Sequence, residues 1–372
     1  MAKQKKENKR SETILNEASH IFLRRYLNNA SPVGFESGGQ RIWLDYLHPY
    51  IDEKFTDPYG SAVCIINPGQ AFKVVIEAHA DEISWFVNYV TDAGLIYLKR
   101  NGGVDHQIAP SKRVAIHGKK GMVKAVFGWP AIHTRISNPD QKEPQPKVDN
   151  LWLDCGARSK KEVEDLGVHV GAVVTYEEGF EELAYDYYVC RAMDNRIGGF
   201  MIAEVARLLK QNNKKLPYSL YIVNAVQEEI GLRGAEMIAR RIKPDVAIVT
   251  DVTHDTSTPM INKMVEGDCT CGKGPALAYG PAVHNKLLNF VQEVAEKSEV
   301  PVQLRTVSRS TGTDTDSFAY ANDGCPSVLI SIPVRYMHTT VEMVHKKDIE
   351  ETIKLIYETL IALTPEINLS YL

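Results

Sequence analysis

Residues 218–242 read YSLYIVNAVQEEIGLRGAEMIARRI, and this stretch limits the possible folds more than any other. YSLYIVNAV is a near-continuous apolar run of the kind found in strands covered on both faces, and RGAEMIARRI has helical spacing. A strand buried on both faces and followed at once by a helix is half of a βαβ unit, which builds a parallel sheet with covering helices. The adjacent carboxylates Glu228 and Glu229 stand where the apolar strand ends.

The same alternation recurs on both sides of one interruption. Before it come helical periodicity from about Ser11 to Tyr26, a second helical stretch GQRIWLDYLHPYI, and the strand-like runs SAVCIINPG and FKVVIEAHAD. After it come the helical run DNRIGGFMIAEVARLLKQ, the strand and helix already quoted, and the strand PDVAIVTDVT. These are followed by the helix NKLLNFVQEVAEKSEV, the short strand VQLRTVS, the strand in CPSVLISIPVRYMHTT and the final helix KKDIEETIKLIYETLIALT. Between them, from about Ser84 to Tyr185, short Val/Ile-rich runs are cut by Gly and Asp turn signals, and SKKEVEDLG alone reads as a helix. Short strands with frequent turns indicate a small barrel or sandwich. We therefore expect an α/β domain formed by residues 1–84 and 185–372, with a β-rich domain inserted at 85–184.

The polar residues are distributed unevenly. His79 and Asp81, Glu228 and Glu229, and Asp251 follow apolar strands, as does His338, while Asp194 opens a helix. Ligands of open α/β sheets bind outside the carboxyl ends of the strands. Each residue has a plainer explanation: Asp194 as an N-cap, Asp251 as a turn initiator, a lone His as a satisfied structural group. Their coincidence favours a shared site, because buried carboxylates without compensating charge are costly. Imidazoles and carboxylates without thiolates suit zinc, cobalt or manganese. Two ions sharing one bridging carboxylate would polarise a carbonyl and activate a water. In the His-x-Asp pair, Asp81 is placed to orient His79, and one member of the Glu doublet could bind metal while the other moves protons.

AHADEI, AMDNRIGG, VQEEIGLRGA, VTDVT, GKGPAL, GTDTDSF and RYMHTTVEM occur in that order. Together they resemble the tetrahedral (TET) aminopeptidases, a family that includes glutamyl and deblocking aminopeptidases. The resemblance runs from about Leu27 to the final helix. It implies a mixed-sheet, phosphorylase/hydrolase-like metallopeptidase domain, with a small PDZ-like β-barrel inserted for dimerisation. It also implies two divalent ions per subunit, zinc or cobalt, and dimers that assemble into a tetrahedral dodecamer. Carried over by motif, His79 and Asp251 would hold one ion, Glu229 and His338 the other, and Asp194 would bridge them. Asp81 would orient His79, and Glu228 would be the general base acting on a bridging hydroxide. A cis bond at Asp194–Asn195 is expected on the same grounds. Asp316 and Tyr320 are bulkier than the family's small residues at those places, and HTTVE replaces His-Ser-Pro-x-Glu.

The expected activity is removal of N-terminal residues from short peptides. Hydrolysis of acylated amino acids by a similar centre, or a catalytically inert shell protein, are the competing readings. The chain has 372 residues and a net charge of -4, without the basic footprint of a nucleic-acid binder. No apolar run is long enough to span a bilayer, and no apolar segment follows the basic start MAKQKKENKR, which is expected to be a solvated tail. With six scattered cysteines expected to be reduced, a cytoplasmic location follows as an expectation. GDCTCGKG approaches a phosphate-binding loop, but Gly274 and Pro275 take the places of its Ser/Thr and helix start. Cys269 and Cys271 are read as structural thiols, and His254, His284 and His345 as non-ligands.

Overall fold

The computed structural model describes residues 14–135 and 142–372. The basic start of the chain and Ser11 lie outside the described residues. Residues 14–16 are not helical, and the first helix is Glu17–Asn28. Its start is set by a reciprocal cap: Ser19 N–H donates to Asn16 Oδ1 at 2.9 Å, and Asn16 N–H donates to Ser19 Oγ at 3.3 Å.

The apolar strands assemble into one eight-stranded mixed sheet. From edge to edge its strands are Glu53–Thr56, Ala62–Ile66, Ser219–Ala225, Lys73–His79, Val246–His254, Ser327–Val334, Ala276–Tyr279 and Gln303–Thr306. The four from Ser219–Ala225 to Ser327–Val334 are mutually parallel, so their carboxyl ends point the same way. Ala225 pairs with His79, and Asp251 with Ser331. This register is what gathers residues distant in sequence at one sheet edge. The helix Met193–Gln211 packs on the central strands, with Glu17–Asn28, Ser37–Leu47 and Lys346–Ala362 against it.

The interruption is a closed six-stranded antiparallel barrel. Its strands are Ser84–Val90, Ile96–Asn101, Arg113–Gly118, Gly121–Gly128, Trp152–Asp154 and Val173–Tyr176. The barrel has its own apolar interior, in which Trp85 meets Phe127 edge-on with centroids 5.5 Å apart. Helix is more extensive here than the sequence suggests: besides Lys160–Asp165 there is a short turn of helix at Ile132–Arg135. Four residues are too few to leave a periodic signal. On leaving the barrel, Tyr187–Cys190 pairs with Glu342–His345, which ties the end of the inserted segment to the chain just after His338. Among the described residues no helix is long and apolar enough to cross a membrane.

Candidate metal centre

Asp194 lies between two imidazoles. His79 Nε2 stands 3.2 Å from its Oδ1 and His338 Nε2 stands 3.2 Å from its Oδ2. On the His79 side Asp251 Oδ1 and Glu228 Oε2 each lie 3.8 Å from Nε2. On the other side Glu229 Oε1 lies 3.4 Å from His338 Nε2. Donor atoms of His79, Asp194 and Asp251 all fall within 4.8 Å of one another, as do those of Asp194, Glu229 and His338. The structure thus brings together all the residues expected at the site.

Local backbone explains how each arrives. Asp194 does not cap its helix, as its plainest reading had it: Ala192 precedes the helix, and Asp194 has a non-helical ψ of 113°. The Asp194–Asn195 bond is cis, as expected. Glu228 and Glu229 sit in a single 3₁₀ turn, Glu228–Ile230, entered through Gln227 at φ 59°. His338 itself has φ 61°. Left-handed non-glycine residues cost about 1–3 kcal/mol each and collect where function demands a particular geometry.

Asp81 has a double task. Its Oδ1 is 3.4 Å from His79 Nδ1, an ion-pair distance without good hydrogen-bond alignment. Its two oxygens also accept the N–H groups of Glu228 and Glu229, at 3.0 and 3.1 Å. Four residues were not anticipated. Glu342, fully buried, accepts the N–H of Asp194 at 2.9 Å and of His338 at 2.6 Å. The carbonyl of Gly103, on a loop of the barrel, lies 3.3 Å from His338 Nδ1. Glu77 and Asp314 form a buried pair beneath the cluster. The Glu of HTTVE was a usable signal for Glu342; nothing local marked the other contacts.

The charges fit divalent cations. Burial, reinforced by neighbouring acids, pushes Asp251 up to about 8 and Glu228 up to about 10, against the attraction of His79. Burial alone would depress His338, but its hydrogen bonds to Asp194 and Glu229 outweigh that and hold it up to about 12. The same imidazoles outweigh burial at Asp194 and hold its carboxyl below the usual range. Without a cation, burial and mutual repulsion favour the protonated forms of Asp251, Glu228 and Glu229, while Asp194 stays ionised between two imidazoles that hold their protons. Borderline divalent cations would meet a matched set of imidazole and carboxylate donors here.

Asp194, Glu228, Glu229, Asp251 and His338 line a cavity of about 540 Å³ that also includes His254, Arg305, Thr311 and Asp316. Of the residues set aside on sequence grounds, His254 lines this cavity but is not among the clustered donors. His345 accepts Lys347 N–H at the start of the last helix, and His284 stacks on Tyr371. In GDCTCGKG the N–H groups of Gly272 and Gly274 donate to Asp348, so the chain's own carboxylate occupies that loop. Cys269 and Cys271 are buried free thiols.

Known proteins resemble this chain over most of its length. The family model described as M42 glutamyl aminopeptidase matches residues 60–355. A lysyl aminopeptidase from Pyrococcus furiosus is 32% identical over 345 residues, 92% of this chain and 97% of its own. A TET aminopeptidase from a marine-sediment Thaumarchaeota archaeon superposes with a TM-score of 0.89 at 31% identity, covering 94% of this chain and 97% of that one. An aminopeptidase from Desulfurococcus kamchatkensis gives a TM-score of 0.86 at 29% identity over 94% and 97% of the two chains. Sheet, inserted barrel and sequence all agree, and the chain belongs to the M42 glutamyl aminopeptidase family of peptide hydrolases.

Proposed function

We propose that this aminopeptidase removes N-terminal residues from short peptides at a two-metal centre in which His79 and Asp251 would hold one ion, Glu229 and His338 the other, and Asp194 would be shared between them. The observation that carries the reading is the placement of one Asp194 oxygen before each imidazole. Zinc or cobalt suits these donors, and the pair would polarise the scissile carbonyl and lower the pKa of water.

The protein groups have distinct tasks. Glu228 is the general base: it takes a proton from the attacking water and returns it to the leaving amine. Burial raises its affinity for a proton, which suits a group that must hold one during the reaction. Asp81 fixes Glu228 relative to Glu229 through their backbone N–H groups while facing His79. Glu342 holds the backbone of Asp194 and His338, so one buried carboxylate sets the separation of two ligands. The cluster of acids receives the substrate's ammonium group, which restricts cleavage to the first residue.

In the same reading residues 85–184 form a dimerisation domain, and dimers join in a tetrahedral dodecamer in the cytoplasm. The barrel exposes Tyr89, Met122, Val126, Leu166 and Val170, apolar surface that supports self-association.

The test is amino-acid release from a panel of free-amine peptides by wild-type protein and Glu228→Gln, with metal content measured on both. Turnover should fall by about 10²–10⁴-fold in the variant with its metal retained. Metal loss in Glu228→Gln would remove Glu228 from the role of base. Failure of the wild-type protein to release any amino acid would sink the peptide-substrate reading.

A further inference from the structure

Arg305 lies on the edge strand Gln303–Thr306, where alternate residues are turned inward: Gln303 and Arg305 are partly buried, Leu304 and Thr306 exposed. Gln303 is fully engaged, donating to the carbonyls of Thr270 and Gly274 and accepting Thr270 N–H. Arg305 is not. Its side chain lines the cavity that contains Asp194 and His338, and among the described lining residues it is the only lysine or arginine. Its Nε is buried without a hydrogen-bond partner. Glu266, the carboxylate that most influences it, forms no ion pair with it. A half-buried guanidinium without an ion-pair partner favours an anion, and its planar fork fits a carboxylate.

Among the described lining residues, the one acid outside the cluster is committed elsewhere. Asp316 accepts Thr311 N–H with both oxygens, at 3.0 and 3.1 Å, and Gly312 N–H at 3.3 Å, which holds residues 311–316 in place. The remaining acids surround the two imidazoles. The cavity is therefore lined both by the cluster that meets the amine and by a positive group without an ion-pair partner. A volume of about 540 Å³ accommodates a short peptide spanning both.

We propose that Arg305 is a specificity residue that binds a carboxylate of the substrate. This rests on the aminopeptidase reading above and deepens it: preferred substrates carry a carboxylate that reaches Arg305 within the cavity they share with the metal centre. That group is either the side chain of an acidic first residue or the terminal carboxylate of a di- or tripeptide.

The experiment compares kcat/KM for Glu-Leu-amide against Gln-Leu-amide, and for Leu-Leu against Leu-Leu-amide, with the wild type, Arg305→Gln and Arg305→Lys. The first pair tests the side-chain source and the second the terminal source. In one pair the wild type should favour the carboxylate by about tenfold to a hundredfold, the range of a charge-assisted pair. Arg305→Gln should collapse that ratio towards one, and Arg305→Lys should keep part of it. Ratios near one in both pairs for the wild type, or a preference that survives Arg305→Gln, overturn the proposal while leaving the aminopeptidase reading intact. If no peptide is cleaved, calorimetric binding of the same four peptides gives the same ratios. A carboxylate preference lost in Arg305→Gln then supports the role of Arg305, and its absence overturns it.

Discussion

Gly103→Ala isolates what the inserted barrel contributes to the metal centre. Gly103 does not have a left-handed φ, so backbone strain does not enter. The cost is contact: a Cβ there would stand 2.9 Å from both Cε1 and Nδ1 of His338. Non-bonded carbons rest at about 3.5 Å or more, so the imidazole must retreat by about 0.6 Å. The Nδ1 contact with the Gly103 carbonyl is 3.3 Å to begin with. Such a retreat takes it past the limit of a hydrogen bond. Removing the group that orients a metal-binding histidine costs about 10–100-fold in affinity, or about 1.4–2.8 kcal/mol. His338 can yield because its side chain is 34% exposed, so fold stability should change by less than about 1 kcal/mol. The assay is calorimetric titration of chelator-stripped wild-type and variant protein with Co(II), together with thermal melts of both stripped forms. Weakening confined to one of two ions, with equal melts, is the expected result. Two ions bound at wild-type affinity would refute the orienting role of Gly103, and equal weakening of both would show that the centre does not divide as proposed.

Three further outcomes are expected. Stripping divalent ions should abolish peptide hydrolysis and lower Tm, with both restored by Zn(II) or Co(II), because the bound ions stabilise only the folded state; an unchanged Tm would count against a built cation site. Arg207 donates to buried Glu204 at 2.6 and 2.9 Å, and its removal leaves that carboxylate without its cation. Arg207→Ala should lose about 3–5 kcal/mol in denaturant unfolding, and a loss below about 1 kcal/mol would show the pair to be expendable. Burial alone would raise Asp255, but hydrogen bonds from Ser257 and Arg335 outweigh it and hold it down to about 2. A depressed carboxyl stabilises the fold above its ordinary value of 3.8 and loses that contribution as pH falls towards 2. The Tm gap between wild type and Arg335→Met should therefore narrow from pH 6 to pH 2.5; a gap independent of pH would contradict the pairing.

Much of this protein is legible in its sequence because the relevant signals are local. Apolar runs of strand length, helical periodicity and turn residues each arise from a few consecutive side chains, and they locate both the α/β layers and the barrel between them. His79, Glu228, Glu229 and Asp251 could be singled out because each interrupts or ends an apolar strand, where an ionisable group needs a reason. The short helix Ile132–Arg135 escaped notice for the opposite reason: one turn shows no period. Tertiary structure alone decided how the groups meet. Parallel register carries His79 to Ala225, just before the glutamate doublet, and Asp81 thereby reaches two backbone N–H groups about 150 positions away. Gly103 comes within 3.3 Å of His338 across 235 positions, and Glu342 joins the backbones of Asp194 and His338. Arg305, unremarkable in QLRT, is distinguished only by what the fold leaves out around it. Local chemistry specifies which elements form and which residues are costly to bury; the partners that repay that cost come from elements far apart in the chain, and only close packing determines which atoms face one another.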